Sequence, residues 1–398
     1  MGKEQKDIKA IFSEAIEKQT PEERAAYLDE VCGNDAKLRS KIDTLLKAHE
    51  QAGSFMNISD REPDVTLVAP SIEGAGTKIG RYELLELIGE GGMGLVYLAE
   101  QKEPVKRKVA LKIVKLGMDT KQVVARFEAE RQTLALLEHP NIAHVFDAGT
   151  TEAGRPYFVM EYVEGKSITK YCDEENLSVE QRLQLFQVVC ETVHHAHQKG
   201  IIHRDIKPSN ILVSVQDGKP VPKIIDFGIA KAVTQPLTGK TSYTQQGQLL
   251  GTPEYMSPEQ AEMAYEQVDT RSDIYSLGVV LYELLAGVTP YDAEKLRKGG
   301  IDHIQQIICE EQPRTPSARL TSLSDKAKAV AQSRRTQIIT LIRRLHRELE
   351  WIPMKAMRKD RNRRYRSASE LADDIHNYIT GAPLTRISHN PIEKSSLF

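Results

Sequence analysis

Cysteine is scarce in this chain: four occur in 398 residues (Cys32, Cys172, Cys190 and Cys309), and no two form a C-x-x-C pair. That spacing excludes a local zinc site and fits reduced thiols in a cytosolic compartment. Long apolar runs are missing as well. No stretch reaches the roughly 18 apolar residues that a membrane-spanning helix needs. The opening Met1-Gly2-Lys3-Glu4 has no apolar signal region. Gly2 invites a lipidation reading, but Lys6 stands where that motif requires Ser or Thr. A strong charge of either sign is also absent. The net charge is −2 with 28% charged residues, which gives no ground for a dedicated nucleic-acid binder. The expectation is a cytoplasmic protein with no membrane span and no nucleic-acid partner.

What is present divides the chain. In residues 1–50, Ile8, Ile11, Phe12, Ala15 and Ile16 recur at helical spacing. Thr20-Pro21-Glu22-Glu23 then supplies a cap, a first-turn proline and a capping-box glutamate for a second helix, which Gly33 is placed to stop. Leu38, Ile42, Leu45 and Leu46 give a third helix. Residues 51–80 lose periodicity and gather Gly, Ser, Pro and Asp, a linker composition. From Arg81 short β-type runs follow one another: Tyr82 to Ile88, Leu95 to Ala99, Val109 to Val114, and, after a helical stretch from about Thr120 to Leu137, two more strands ending in Tyr157 to Met160. Beyond Gly165 helical patterns dominate. The fold class expected is α+β with two lobes, strand-rich over 81–163 and helical over 164–380, ending in a tail of residues 381–398.

The chemistry gathers in one short run. Ile202-His203-Arg204-Asp205-Ile206-Lys207-Pro208-Ser209-Asn210 is followed by Asp226-Phe227-Gly228. The pattern H-R-D-x-K-x-x-N, then D-F-G, resembles the catalytic and metal-binding loops of protein kinases, and phosphoryl transfer from ATP asks for in-line positioning and neutralised charge on the phosphate oxygens, with little covalent help. Asp205 can accept the proton of an attacking hydroxyl, and Lys207 can hold the phosphate in flight. Asn210 and Asp226 offer the hard oxygens that Mg²⁺ or Mn²⁺ takes. Upstream, Gly89-Glu90-Gly91-Gly92-Met93-Gly94-Leu95-Val96 lets backbone N–H groups approach phosphates. A dinucleotide-binding loop shares the three glycines but should open a helix. Here the loop runs into a strand, and the next strand carries Lys112. Lys112 needs an acidic partner, and the stretch after it offers Glu128, Glu130 and Glu138.

The motifs H-R-D-x-K-x-x-N and D-F-G, with G-x-G-x-x-G-x-V and Val109-Ala110-Leu111-Lys112, resemble the Hanks-type bacterial Ser/Thr protein kinases over about residues 81–380. Gly251-Thr252-Pro253-Glu254-Tyr255-Met256-Ser257-Pro258-Glu259-Gln260-Ala261 and Leu349-Glu350-Trp351-Ile352-Pro353 resemble the planctomycete type. The resemblance implies ATP and Mg²⁺ as cofactors and protein Ser/Thr hydroxyls as acceptors. It makes Asp205 the catalytic base, with Lys207 and Thr252 beside it, and Lys112 the ATP-orienting lysine. Because His139-Pro140-Asn141 resembles the end of that family's helix C region, Glu130 is favoured as the partner of Lys112. Ile88 through Val96 would cover the nucleotide, Met160 would be the gatekeeper, and Glu161 and Val163 would offer backbone hydrogen bonds to adenine. Val96, Ala110 and Leu212 would sandwich the ring. A hydrophobic stack of Leu134, Val145, Phe227 and His203 would rest on Asp273, and Glu259 would pair with Arg364.

Regulation follows from the same resemblance. Arg204 would bind a phosphate on the loop after Asp226, where Thr244 ranks first, ahead of Ser242 and Thr241. Position 248, a frequent phosphothreonine site in eukaryotic relatives, is Gln. A signalling scaffold without phosphoryl transfer is the rival reading, and it would require a missing base, lysine or metal ligand. Residues 1–50 fit a module for docking, or for a dimer that autophosphorylates in trans, as well as they fit a packed cap. His194, His195 and His197 read as packing and surface residues of the helix before the catalytic loop. The basic stretch Arg334 to Arg366 reads as solvated helix faces.

Overall fold

A computed structural model of the chain describes residues 15, 21–33, 39, 74–91, 94–114, 137–227, 252–262, 264 and 267–385. They fall into two units, residues 1–69 and 70–398. In the first, helix α1 (Pro21–Cys32) begins at the proline that the sequence places in its first turn. It ends at Gly33, whose φ of 52° is left-handed and whose N–H returns to the Asp29 carbonyl. Of the expected third helix, Leu38 to Leu46, only Arg39 is among the described residues, and it is helical.

The second unit opens with an antiparallel sheet of six strands: β1 (Lys78–Ile79), β2 (Tyr82–Gly91), β3 (Gly94–Gln101), β4 (Arg107–Val114), β5 (Val145–Thr150) and β6 (Pro156–Glu161). Its order is β1-β2-β3-β4-β6-β5. Strand β1 lies inside the segment whose composition reads as linker, and it pairs Ile79 with Tyr82. The pleat then sorts β4 by parity. Val109, Leu111 and Ile113 pack with Tyr82, Leu84, Tyr97 and Val159 on one face. Ala110 and Val114 pack with Phe158 and Met160 on the other. Lys112 shares the parity of Ala110, and this decides which way it points.

The helical part follows β7 (Lys166–Ser167) and α2 (Ile168–Glu174). Helix α3 (Val179–Gln198) starts at a capping box between Ser178 and Gln181. A hairpin, β8 (Ile211–Gln216) and β9 (Lys219–Ile224), carries the chain to Asp226. Helix α4 (Pro258–Ala261) precedes α5 (Thr270–Ala286), which is buried along almost its whole length. At Gly278 a Cβ would stand 2.7 Å from the Cβ of Ala356, so only glycine lets the helix Trp351–Ala356 approach. The buried carbonyls in the last turn of α5 are met by Arg334, which donates to those of Leu284 and Leu285. Later helices, ending with α6 (Ala368–Thr380), complete the core around Leu277, Leu281, Leu349 and Leu371.

The expected Glu259–Arg364 pair is present and bidentate, at 2.7 and 2.8 Å, with both side chains buried. Burial raises the Glu259 carboxyl, but the bonds and charge of Arg364, joined by Ser272, outweigh it and hold the group below its ordinary value.

Candidate active site

Lys112 and Asp226 meet where sheet and hairpin converge: Nζ lies 2.8 Å from Oδ2, with the side chains 8% and 19% exposed. Glu130, the partner expected for Lys112, lies outside the described residues, as do Glu128 and Leu134. Asp226 has φ +64° and Arg204 has φ +69°. Residues with a Cβ hold that conformation at a cost of about 1–3 kcal/mol, and such outliers cluster at functional sites.

The catalytic run closes on itself. Oδ2 of Asp205 receives Lys207 Nζ at 2.8 Å and Asn210 Nδ2 at 3.1 Å. The same amide nitrogen donates to the Asp205 carbonyl at 2.8 Å. With that NH₂ spent on two oxygens, the Asn210 amide oxygen is the atom left to meet a cation, and Asp226 supplies a carboxylate. The donor set is hard oxygen, as Mg²⁺ requires. His203 is fully buried. Its Nδ1 accepts the Asp205 N–H at 3.2 Å and its Nε2 donates to the Ile225 carbonyl at 3.0 Å, so the ring proton sits on Nε2. The ring packs 4.6 Å from that of Phe227. Beneath it, Asp273 takes the backbone N–H groups of His203 and Arg204, both at 2.8 Å. Val145 lines an apolar cleft with Met160, Asp226 and Phe227, so the described part of the expected stack is assembled.

The glycines differ in what they do. At Gly94 a Cβ would lie 2.1 Å from the Ile113 carbonyl oxygen, a strand contact that only glycine permits. At Gly89 it would meet only Val96 at 3.8 Å, and at Gly91 nothing within 4 Å. The missing side chains there leave open space, which is what a polyphosphate needs. Gly92 and Met93 lie outside the described residues. Ala110 and Met160 are buried on the Lys112 face with Val96 against them. Leu212 and Val163 are half-buried, and Ile88 and Glu90 are exposed.

The structure narrows two expectations. Leu95 packs with the core on the opposite face, because the pleat sends its side chain away from that of Val96; only its backbone can serve a ligand. The N–H of Glu161 is taken by the His144 carbonyl at 2.8 Å, so of its backbone pair only the carbonyl remains for adenine. Thr252 leads into the turn Pro253–Tyr255 without capping it. Arg204 is half-buried beside Asp205. Thr241, Ser242 and Thr244 lie outside the described residues.

Sequence reasoning passed over several contacts. His197 donates to Asp273 at 2.7 Å. Buried Lys223, just before Asp226 in the chain, pairs with the Glu161 side chain. Gln260 reaches the Arg204 carbonyl. The His195 ring packs tilted against that of His139 at 4.8 Å, and His194 meets Gln198. Among the described residues, no helix is long and apolar enough to cross a membrane.

Comparison with known proteins agrees with this geometry. The protein kinase domain family matches residues 82–374. The chain is similar to the serine/threonine-protein kinase PknB of Mycobacterium tuberculosis, 36% identical over 309 residues, covering 76% of this chain and 44% of that protein. It is similar to the probable serine/threonine-protein kinase PknB of Bifidobacterium longum, 35% identical over 324 residues, covering 79% and 42%. The chain therefore spans less than half the length of these curated relatives. The crystal structure of the PknI kinase domain of M. tuberculosis superposes with a TM-score of 0.53 at 25% identity, covering 78% of this chain and all of that one.

Proposed function

This chain belongs to the protein kinase domain family, and from that premise we propose that it transfers the γ-phosphate of ATP to Ser and Thr hydroxyls of proteins. The observation that carries the reading is the convergence of Lys112 on Asp226 with Asp205, Lys207 and Asn210 closing around one carboxylate. We take residues 81–380 as the catalytic domain, 51–80 as the linker and 1–50 as an appended helical segment.

ATP would bring the phosphoryl group, and Asn210 and Asp226 would hold a Mg²⁺ or Mn²⁺ ion, which when bound would neutralise charge on the phosphates. The residues do the rest by position. Lys112 would orient the α- and β-phosphates, and the open space at Gly89 and Gly91 leaves room for them. The acceptor hydroxyl docks against the segment after Thr252, so that a free oxygen of Asp205 takes its proton. Lys207 lies beside that carboxylate, where it also offsets charge on the phosphate passing to the hydroxyl. The acceptor class rests on Lys207 and Thr252, which resemble the Ser/Thr members. No residue of the base, lysine and metal-ligand set is missing, so the scaffold reading has no observation in its favour.

The test is to incubate the full chain with γ-labelled ATP and Mg²⁺ or Mn²⁺, alone and with a basic protein acceptor, then to analyse the labelled amino acids. Phosphoserine and phosphothreonine are expected. Phosphotyrosine alone would overturn the acceptor class, and no incorporation would overturn the activity.

A further inference from the structure

Gln260 lies in the Gly251–Ala261 segment with no role given to it above, yet it touches the catalytic loop. Its Nε2 donates to the Arg204 carbonyl at 2.8 Å. Its Oε1 accepts from the Ser257 backbone N–H at 3.1 Å and from the Ser257 hydroxyl at 3.0 Å. A backbone N–H can only donate, so the oxygen end must face Ser257 and the NH₂ end must face Arg204. The amide therefore has one orientation.

What it holds is unusual backbone. Arg204 sits at φ +69°, a conformation that residues with a Cβ keep only when their surroundings impose it. Three bonds impose it here. The Arg204 N–H goes to Asp273 Oδ1 at 2.8 Å, its carbonyl accepts from Gln260, and the next N–H, of Asp205, goes to His203 Nδ1 at 3.2 Å. The peptide joining Arg204 to Asp205 is thus gripped at both its oxygen and its nitrogen. Two of the three grips come from the loop and from α5. The third comes from α4, in which the neighbouring residue Glu259 is fixed by Arg364 and by Ser272 at 2.6 Å.

We propose that Gln260 is a positioning residue that aims Asp205 by holding the Arg204 carbonyl, so that the base is aligned only when the segment around residues 252–262 is seated. The proposal rests on Asp205 being the base. Without the Gln260 donor the carbonyl loses its partner, the peptide can rotate, and the carboxylate leaves the line of attack. Nothing in this contact touches Lys112 or the Met160–Glu161 side of the site, so nucleotide affinity should not follow.

Steady-state kinetics on the full chain with a peptide acceptor separate these effects. Gln260→Met keeps the length and loses both bonds. Gln260→Glu keeps the acceptor for Ser257, and with it the cap of α4, but as a carboxylate it cannot donate to Arg204. Both variants should lose about tenfold to a hundredfold in kcat, the range for a small misplacement at a reacting centre, with ATP KM within about twofold of the parent. Parental kcat in both variants, an ATP KM that rises in step with the loss of kcat, or a kcat loss explained by the unfolded fraction would each overturn the role. Asp205→Asn is run beside them: if it stays active, the base assignment has failed. If it is inactive while the Gln260 variants run at the parental rate, only the positioning role has failed.

Discussion

The imidazole of His197 donates from Nε2 to Oδ2 of Asp273 at 2.7 Å, joining the helix before the catalytic loop to the buried helix beneath it. The same carboxylate also receives the N–H groups of His203 and Arg204, so one fully buried anion fixes two consecutive peptides next to the candidate base. Burial alone would raise its pKa. The hydrogen bond and charge of His197, with His203, outweigh that and hold it below the ordinary carboxylate value.

A lowered carboxylate pKa has a defined consequence for acid stability. In the unfolded chain Asp273 should titrate at about pH 3.9. Its stabilisation is complete above that value and is lost as pH falls through the lower folded value. Asp273→Asn should cost about 3 kcal/mol at pH 7, since it leaves buried partners without their anion. Its unfolding free energy should also vary less between pH 4 and pH 2 than the parent's. Urea titrations across that range measure both, and parallel curves would refute the assignment.

Phosphoryl transfer should fail with either Asp205→Asn or Lys112→Met. Each removes a preorganised charge acting on the reacting groups, and the loss should be at least about 10²-fold in kcat. Circular dichroism should show both variants folded. Near-parental phosphate incorporation by Asp205→Asn would remove Asp205 from the chemistry.

Met160 is 4% exposed and lines the apolar cleft with Val145 and Phe227. Met160→Gly should open that wall and admit an ATP analogue enlarged on the adenine ring, which the parent refuses. The expected measurement is a selectivity change of at least about tenfold in kcat/KM, roughly 1.4 kcal/mol. Equal use of the analogue by both proteins would show that another residue closes the pocket.

Activation should depend on a phosphate within residues 228–251. The family resemblance assigns Arg204 to receive it, and such a contact orders a loop through charge-assisted hydrogen bonds. Mass spectrometry of active protein should find Thr244 modified, or Ser242 or Thr241 in its place, and Thr244→Ala should slow turnover. An unmodified Thr244 together with a fully active alanine variant would dispose of this switch.

Much of the site was legible because its chemistry is short-range. Asp205, Lys207 and Asn210 lie within six residues, and their mutual bonds close inside one turn of chain. The parity of β4 likewise follows from strand period alone, which puts Lys112 and Ala110 on one face. The identity and order of these groups are properties of the sequence by itself, as are the cap of α3 and the Pro21 and Gly33 bounds of α1.

Tertiary structure decided the contacts that join distant residues. Lys112 and Asp226 are 114 positions apart, His197 and Asp273 76, and Gln260 and Arg204 56. No period or local propensity links such pairs; they meet because burying the apolar faces of sheet and helices brings their backbones together. The same packing spends the Glu161 N–H on His144 and turns Leu95 into the core. It also holds Arg204 and Asp226 at positive φ, which no sequence signal marks because neither is glycine. The sequence determined which groups are available for the chemistry. Burial and the hydrogen bonds it demands decided which of their atoms remain free to perform it.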